Sequence, residues 1–301
     1  MKKHILITGA TGMIGKKLIA ELLQHGHHVS ILTRKPVKIK DVQVFLWNIE
    51  KGEIDNSCLQ GIDTIVHLAG AGIADQKWTK ERKKQIIDSR VESTALLYKA
   101  IRETRSPVQS FISSSASGYY GDRQDEILLE TIPPGDGFLA ECCILWENAV
   151  DAGAQLNLRI VKLRTGFVLG KSGGGLPSLA KPIQMFAGAA LGSGKQWIPW
   201  IHVDDIVAMY ITAIENDSFS GAYNGCAPYP VTNETLTKSV ARKLNRPVWP
   251  INVPEMVLEM ILGKMSLVVT TSTNLSAQKV LDNGFKFKYV YVEDALNEIY
   301  K

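Results

Sequence analysis

Three glycines, spaced Gly9-x-x-Gly12-x-x-Gly15 directly after the run Ile5-Leu6-Ile7-Thr8, carry the clearest chemistry in this chain. Gly9 permits a sharp turn, Gly12 lets backbone N–H groups approach a pyrophosphate, and Gly15 lets the next helix pack closely on the strand. The helix start, with Thr11, Met13 and Ile14, then turns its positive dipole end toward the anion. A strand before and a helix after distinguish this pattern from glycines of ordinary turns, and it predicts a dinucleotide site. The second strand ends Ile31-Leu32-Thr33-Arg34-Lys35. No acid stands there to bind the ribose 2′-OH of NAD, whereas Arg34, helped by Thr33, suits the 2′-phosphate of NADP(H). The alternative is a solvated strand end. Arg90 lies among Ile86, Ile87, Thr94 and Leu97 at helical spacing and needs an anion or a route to water. A cofactor phosphate or ribose is one partner, an internal carboxylate the other, and Gln85 one turn earlier could join the same polar patch.

These residues need a frame, and the hydrophobic pattern supplies one. Strand-like runs at Lys3–Thr8, Val29–Thr33, Val42–Trp47, Thr64–Ala69, Ser110–Ser114 and Arg159–Leu163 are interspersed with helical spacing over Gly12–His25, Lys80–Arg102 and Gly137–Ala152. Strands that are apolar throughout suit a parallel sheet covered on both faces. The alternation predicts an α/β fold, a doubly wound parallel Rossmann sheet. After about Gly170 the pattern changes. Gly173-Gly174-Gly175 and Gly188 to Pro199 read as loops around a short helix, Val203 to Glu215 as helix, and the residues beyond Val231 as two or three more. The expected division is 1–170 as the NADP(H)-binding domain and 171–301 as substrate-cleft loops with a smaller, mostly helical C-terminal lobe.

Composition narrows the function classes. With 301 residues, 45% hydrophobic and 21% charged, the chain is globular rather than disordered. The net charge of +4 is not gathered in one tract, so nucleic acid is not an expected partner. Four cysteines are too few and too irregular for a disulfide framework, and neither they nor the six histidines have metal-ligand spacing. No run is long enough to span a bilayer, and the N-terminus has no signal-like segment. The expectation is a cytoplasmic protein with no metal and no membrane association, acting on an unidentified small molecule.

The motifs together resemble the short-chain dehydrogenase/reductase superfamily, and its extended, epimerase-like branch. Val66-His67-Leu68-Ala69-Gly70 is similar to the fourth strand and small-residue corner of that branch. Phe111 to Gly121 resembles its serine-bearing fifth strand and loop, Leu163 to Gly170 its post-sixth-strand segment, and Trp200-Ile201-His202-Val203-Asp204-Asp205 its late helix start. Gly192-Ser193-Gly194 with Gln196-Trp197 points to the subgroup called NAD-dependent epimerase/dehydratase-like or "epimerase family" proteins. The resemblance spans essentially the whole chain. It implies that Leu68, Ala69 and Gly70 line the cofactor, that Arg90 lies near it, and that Ser115 hydrogen-bonds a substrate oxygen. Related folds often dimerise through two long helices, so a homodimer is a further expectation.

One departure matters more than the matches. The superfamily's acid/base is a Tyr with a Lys four residues on. Here Tyr98 is followed by Arg102, Tyr119 by Arg123 and Tyr120 by Gln124. Aligned on Trp146-Glu147, Leu139 and Cys143 occupy the Tyr and Lys positions. An unassisted Tyr, with a pKa near ~10, is a poor base at neutral pH. Substitutes are Tyr119 and Tyr120 beyond Ser115, the loop acids Asp122, Asp125 and Glu126, and Glu141. Trp197, Trp200, His202 and Arg164 are candidate cleft residues, each with an ordinary packing, capping or ion-pair alternative. The sequence thus predicts an NADP(H)-dependent oxidoreductase or epimerase with an atypical site, in which Ser115 and Tyr119 are the catalytic candidates. The competing reading is a non-catalytic NADP(H)-binding regulator.

Overall fold

The computed structural model describes residues 2–301. Parallel strands β1 (His4–Thr8), β2 (His28–Thr33), β3 (Val42–Asn48), β5 (Thr64–His67) and β6 (Ser110–Ala116) form the centre of an eight-stranded sheet. β4 (Glu53–Ile54) closes one edge antiparallel to β3, and strands Arg159–Thr165 and Gly221–Gly225 extend the other in parallel. The spatial order is 221–225, 159–165, β6, β5, β1, β2, β3, β4. The order reverses on either side of β1, between β5 and β2. That switch point opens a crevice at the carboxyl ends of the strands, where doubly wound sheets bind ligands.

Both faces of the sheet are covered, as its apolar strands require: Ile5, Leu6 and Ile7 are fully buried. Helices α1 (Met13–Gln24) and α5 (Val203–Glu215) pack on one face, with Leu18, Leu22, Ile206 and Tyr210 in the core. Helices α2 (Lys80–Thr104) and α3 (Phe138–Asp151) cover the other through Leu97, Ile101, Trp146 and Val150. A separate core joins α4 (Leu176–Gln184), α6 (Asn233–Lys243) and the last helix, Val292–Ile299. Helix α7 (Glu255–Leu262) lies before it in the chain.

Three features differ from the expected organisation. The strand Gly221–Gly225 pairs with Leu163 and its neighbours, so the main sheet continues well past residue 170. The stretch read as loop to Pro199 contains Trp197–Ile198, paired with Val231–Thr232. Trp200–His202 then pairs with Phe167–Leu169. These pairings are long-range, and strands of two or three residues leave no periodicity in the sequence.

Candidate functional site

The turn after β1 has the geometry of an anion cradle. Gly9 holds φ +68°, and a Cβ there would stand 2.6 Å from the Leu68 carbonyl carbon. A Cβ at Gly15 would meet the Ala10 Cα and the Gly9 oxygen at 2.7 Å, so only glycine lets α1 approach β1. Gly12 differs: its Cβ would touch only the Gly9 oxygen, at 3.3 Å, with open space otherwise. It occupies the N-cap of α1, where no side chain caps the helix and no acid lies in the first turn. The first-turn N–H groups of Met13, Ile14 and Gly15 therefore face the opening with donors to spare. Thr11 lies exposed within this turn. The Met13 side chain lies against Gly170, Gly173 and Gly174, which brings the glycine loop beside the cradle.

At the end of β2, Thr33 is buried and its hydroxyl donates to the Lys35 carbonyl at 2.7 Å, fixing the turn. Arg34 is exposed and forms no salt bridge among the described residues. Its guanidinium is free for a ligand.

The corner Leu68-Ala69-Gly70 is held by a polar chain that sequence reasoning missed. The Ala69 N–H donates to Thr8 Oγ1 at 3.2 Å, and Thr8 Oγ1 lies 2.7 Å from His67 Nδ1. His67 Nε2 lies 3.0 Å from Ser93 Oγ, which donates to the Ser89 carbonyl at 2.7 Å. Since the Ser93 proton is used there, His67 donates from Nε2 and accepts from Thr8 at Nδ1. Ser89 Oγ in turn accepts the Ala71 N–H at 2.9 Å. His67 is wholly buried, and burial, with the Arg90 charge, lowers its pKa to about 3 from 6.5. The unfolded chain thus takes up a proton between these values that the folded chain refuses. This contribution to stability is complete above pH 6.5 and is lost as pH falls toward about 3. His67→Gln should flatten the pH dependence of unfolding in that window by about 1.4 kcal/mol per pH unit, measured by urea denaturation. An unchanged slope would place the titrating group elsewhere.

Among the described residues Arg90 meets no carboxylate. Its Nη1 donates to the carbonyls of Ala71 at 3.1 Å and Ile86 at 2.8 Å, and the group lies 4.9 Å over the Trp146 ring. Gly70 rests on it: a Cβ there would be 3.0 Å from Arg90 Cζ. Gln85 is drawn away from Arg90, accepting from Arg82 Nη1 at 2.6 Å.

Ser115 departs from the expected placement. Alternate residues of a strand face opposite sides, and Ser115 turns toward α3 and donates to Glu147 Oε1 at 2.6 Å. Glu147 is gripped by Arg164, Nε to Oε1 at 2.9 Å and Nη2 to Oε2 at 3.0 Å, with Lys162 Nζ at 3.3 Å. Burial pushes the Glu147 carboxyl up, but Arg164, Ser115 and Lys162 together hold it below its ordinary value. The Ser115 proton is thus engaged by a buried ion cluster. Ser115→Ala leaves part of that carboxylate unsatisfied and should cost about 1–3 kcal/mol of stability in urea unfolding. A stability unchanged from wild type would free Ser115 for its sequence-predicted role.

The aligned helix positions are chemically inert. Leu139 packs near Gly118, whose Cβ would lie 3.2 Å from that of Leu139 and 3.8 Å from Cys143 Sγ. Burial pushes the Cys143 thiol up to about 12. Tyr119 is half-buried, its ring 3.5 Å from the Arg164 guanidinium carbon, while Tyr120 is buried and donates to Asn224 Oδ1 at 2.8 Å. His202 caps α5, accepting from the Asp204 N–H at 3.1 Å, and Trp197 donates to Asp125 at 2.7 Å. Among the described residues, His25, His27 and Glu215 come close enough to suggest a metal. Because His27 Nδ1 accepts the Lys3 N–H, its Nε2 carries a proton toward Glu215 and lacks a free lone pair.

A doubly wound sheet with a glycine cradle at its switch point defines a Rossmann-type dinucleotide-binding protein. The profile of the NAD dependent epimerase/dehydratase family matches residues 5–225, and the chain belongs to that family. Residues 253–299 match a domain of unknown function, DUF1731. The chain is 37% identical to the chloroplastic epimerase family protein SDR39U1 homolog of Arabidopsis thaliana, covering 98% of this chain and 86% of that one. It is 33% identical to an epimerase family protein of Staphylococcus aureus, over 99% of both. The crystal structure of human epimerase family protein SDR39U1 with NADPH superposes with a TM-score of 0.86 at 28% identity, covering 99% of both chains. The nucleoside-diphosphate sugar epimerase of Corynebacterium glutamicum gives 0.81 at 32% identity, over 100% of this chain and 58% of that one. Among the described residues no helix is long and apolar enough to cross a membrane.

Proposed function

We propose that this chain binds NADP(H) and acts as an oxidoreductase on a small molecule in the cytoplasm. The observation that carries the cofactor reading is Arg34: an exposed guanidinium just after β2, unpaired among the described residues and with no acid beside it in the sequence. The human relative solved with NADPH supports it. The cradle suits the group, since Gly12 opens on free space and the first turn of α1 is uncapped. Gly9, Thr11, Gly12, Met13, Ile14 and Gly15 would hold the pyrophosphate, Arg34 the 2′-phosphate with Thr33 fixing the turn that presents it, and Leu68, Ala69 and Gly70 the adjoining edge. A nicotinamide cofactor held there would supply hydride chemistry to an acceptor carbon. The chain's own part is to orient and shield: Leu139 has no proton to exchange and the buried Cys143 thiol holds its own and carries no positive charge, so an acid/base comes from elsewhere, with Tyr119 the candidate tested first. Those same two residues favour the second reading, an NADP(H)-binding regulator without turnover. A panel of carbonyl and sugar substrates decides between them: NADPH oxidation that falls in Tyr119→Phe supports the enzyme. Tight NADPH binding with no turnover across the panel supports the regulator.

A further inference from the structure

Two arginines of α2 converge on adjacent carbonyls of the loop that follows β5. Arg82 Nη2 donates to the Gly72 oxygen at 2.6 Å, and Arg90 Nη1 to the Ala71 oxygen at 3.1 Å. The positive charge of Arg82 disfavours that of Arg90, adding to burial, which comes first. Neither has an adequate counter-ion. Arg90 forms no salt bridge among the described residues, and Arg82 meets only Asp75, at 3.6 Å, whose side chain is 69% exposed. Arg82 is 9% exposed, and its Nε–H is buried without an acceptor. An unpaired donor of this kind costs about 1–3 kcal/mol, and two partly desolvated guanidinium groups side by side cost more until an anion joins them. A third cation, Lys83, stands 4.6 Å over the Phe138 ring. Beside these charges the wall is apolar: Ile73, Trp78, Phe138, Leu139 and Met265 pack together.

The loop lies at the carboxyl end of β5, beside β6. The phosphate turn lies at β1, and Arg34 lies beyond it at β2. A dinucleotide stretched from Arg34 across the cradle would bring its nicotinamide half toward β5 and β6, and that half carries no phosphate beyond the pyrophosphate proposed for the cradle. We infer that Arg82 and Arg90 form a subsite for the oxyanion of the substrate, a carboxylate or phosphate carried on an apolar body. Asp75 occupies the edge of this subsite as a displaceable counter-ion. The inference rests on the proposed placement of NADP(H) in the crevice.

The test uses the full chain saturated with NADPH, titrated calorimetrically with benzoate, inorganic phosphate and uncharged benzyl alcohol. Benzoate should bind at least about fivefold more tightly than benzyl alcohol, because the guanidinium groups select charge. Arg82→Gln should weaken benzoate at least about fivefold with NADPH affinity unchanged, and Arg82→Lys should recover part of the loss, since it restores charge without the fork. Asp75→Asn should tighten benzoate about two- to fivefold by removing the competing anion. Phosphate weaker than benzoate would agree with an apolar body, and phosphate stronger than benzoate would assign a phosphate-bearing substrate to the same arginines. Equal binding of benzoate and benzyl alcohol, or an Arg82→Gln protein that melts like wild type and binds benzoate equally well, would overturn the inference. So would a tenfold loss of NADPH affinity in Arg82→Gln, which would assign the arginines to the cofactor. A wild-type chain that binds no NADPH fails the proposed function instead, and that outcome is read before any anion is added.

Discussion

NADPH is expected to bind this chain far more tightly than NADH, and Arg34→Ala to erase most of the difference. Arg34 directly follows β2, exposed and unpaired among the described residues, so contacting a 2′-phosphate breaks no existing bond seen there. A charge-assisted pair of this kind contributes about 1.5–3 kcal/mol. That corresponds to roughly 10- to 150-fold in affinity. NADH lacks the phosphate and should bind the variant and the wild type alike. Thr33 cannot take over, because its hydroxyl is committed to the Lys35 carbonyl. The exposed site adds a second signature: the preference should shrink as ionic strength rises, since screening acts on exposed charges. Fluorescence titration of both nucleotides at low and high salt measures each quantity. Equal affinities in the wild type would sink the 2′-phosphate argument.

How far the sequence reveals this site depends on whether each residue's role is local. The phosphate turn is local. Its glycines, the strand before them and the helix after them are consecutive, and β1, β2, β3, β5 and β6 follow apolar runs long enough to read, whereas the two-residue β4 does not. The strand Gly221–Gly225 was invisible because Gly-Ala-Tyr-Asn-Gly has little strand propensity. It is a strand because residues 221–225 lie in register with Val161 to Thr165. In the sequence His67 and Glu147 stand out only as part of a motif and as an alignment anchor. The signal that could have singled them out was polarity in an apolar setting: a histidine closing an otherwise buried strand, and a glutamate between Cys143, Trp146 and Val150 on the buried face of α3. Their partners, Thr8, Ser93 and Arg164, come from other elements and could not be assigned before the fold was known. Ser115 illustrates the reverse case. Its place at a strand end suggests substrate contact, whereas the structure pairs its hydroxyl with Glu147.

The glycine cradle allows binding and folding to be separated, because its three glycines are required for different reasons. At Gly9 any side chain meets the Leu68 backbone and an unfavourable φ of +68°, and at Gly15 a Cβ strikes Ala10. Substitution there should disrupt the β1–α1 packing itself. Gly12 has φ −73° and ψ 172°, which valine adopts without strain, and its Cβ meets only the Gly9 oxygen at 3.3 Å. The valine methyls would project into the open space above the uncapped N–H groups, the space assigned to the pyrophosphate. Gly12→Val should therefore fold with a melting temperature within a few degrees of wild type and lose NADPH affinity by more than about 100-fold, equivalent to about 2.7 kcal/mol. Circular dichroism and nucleotide titration on the same preparation separate the two effects. Gly9→Ala serves as the contrast and should lose stability before binding can be measured. If Gly12→Val retained wild-type affinity, the pyrophosphate would not lie on this turn, and the unpaired N–H groups of α1 would need another anion.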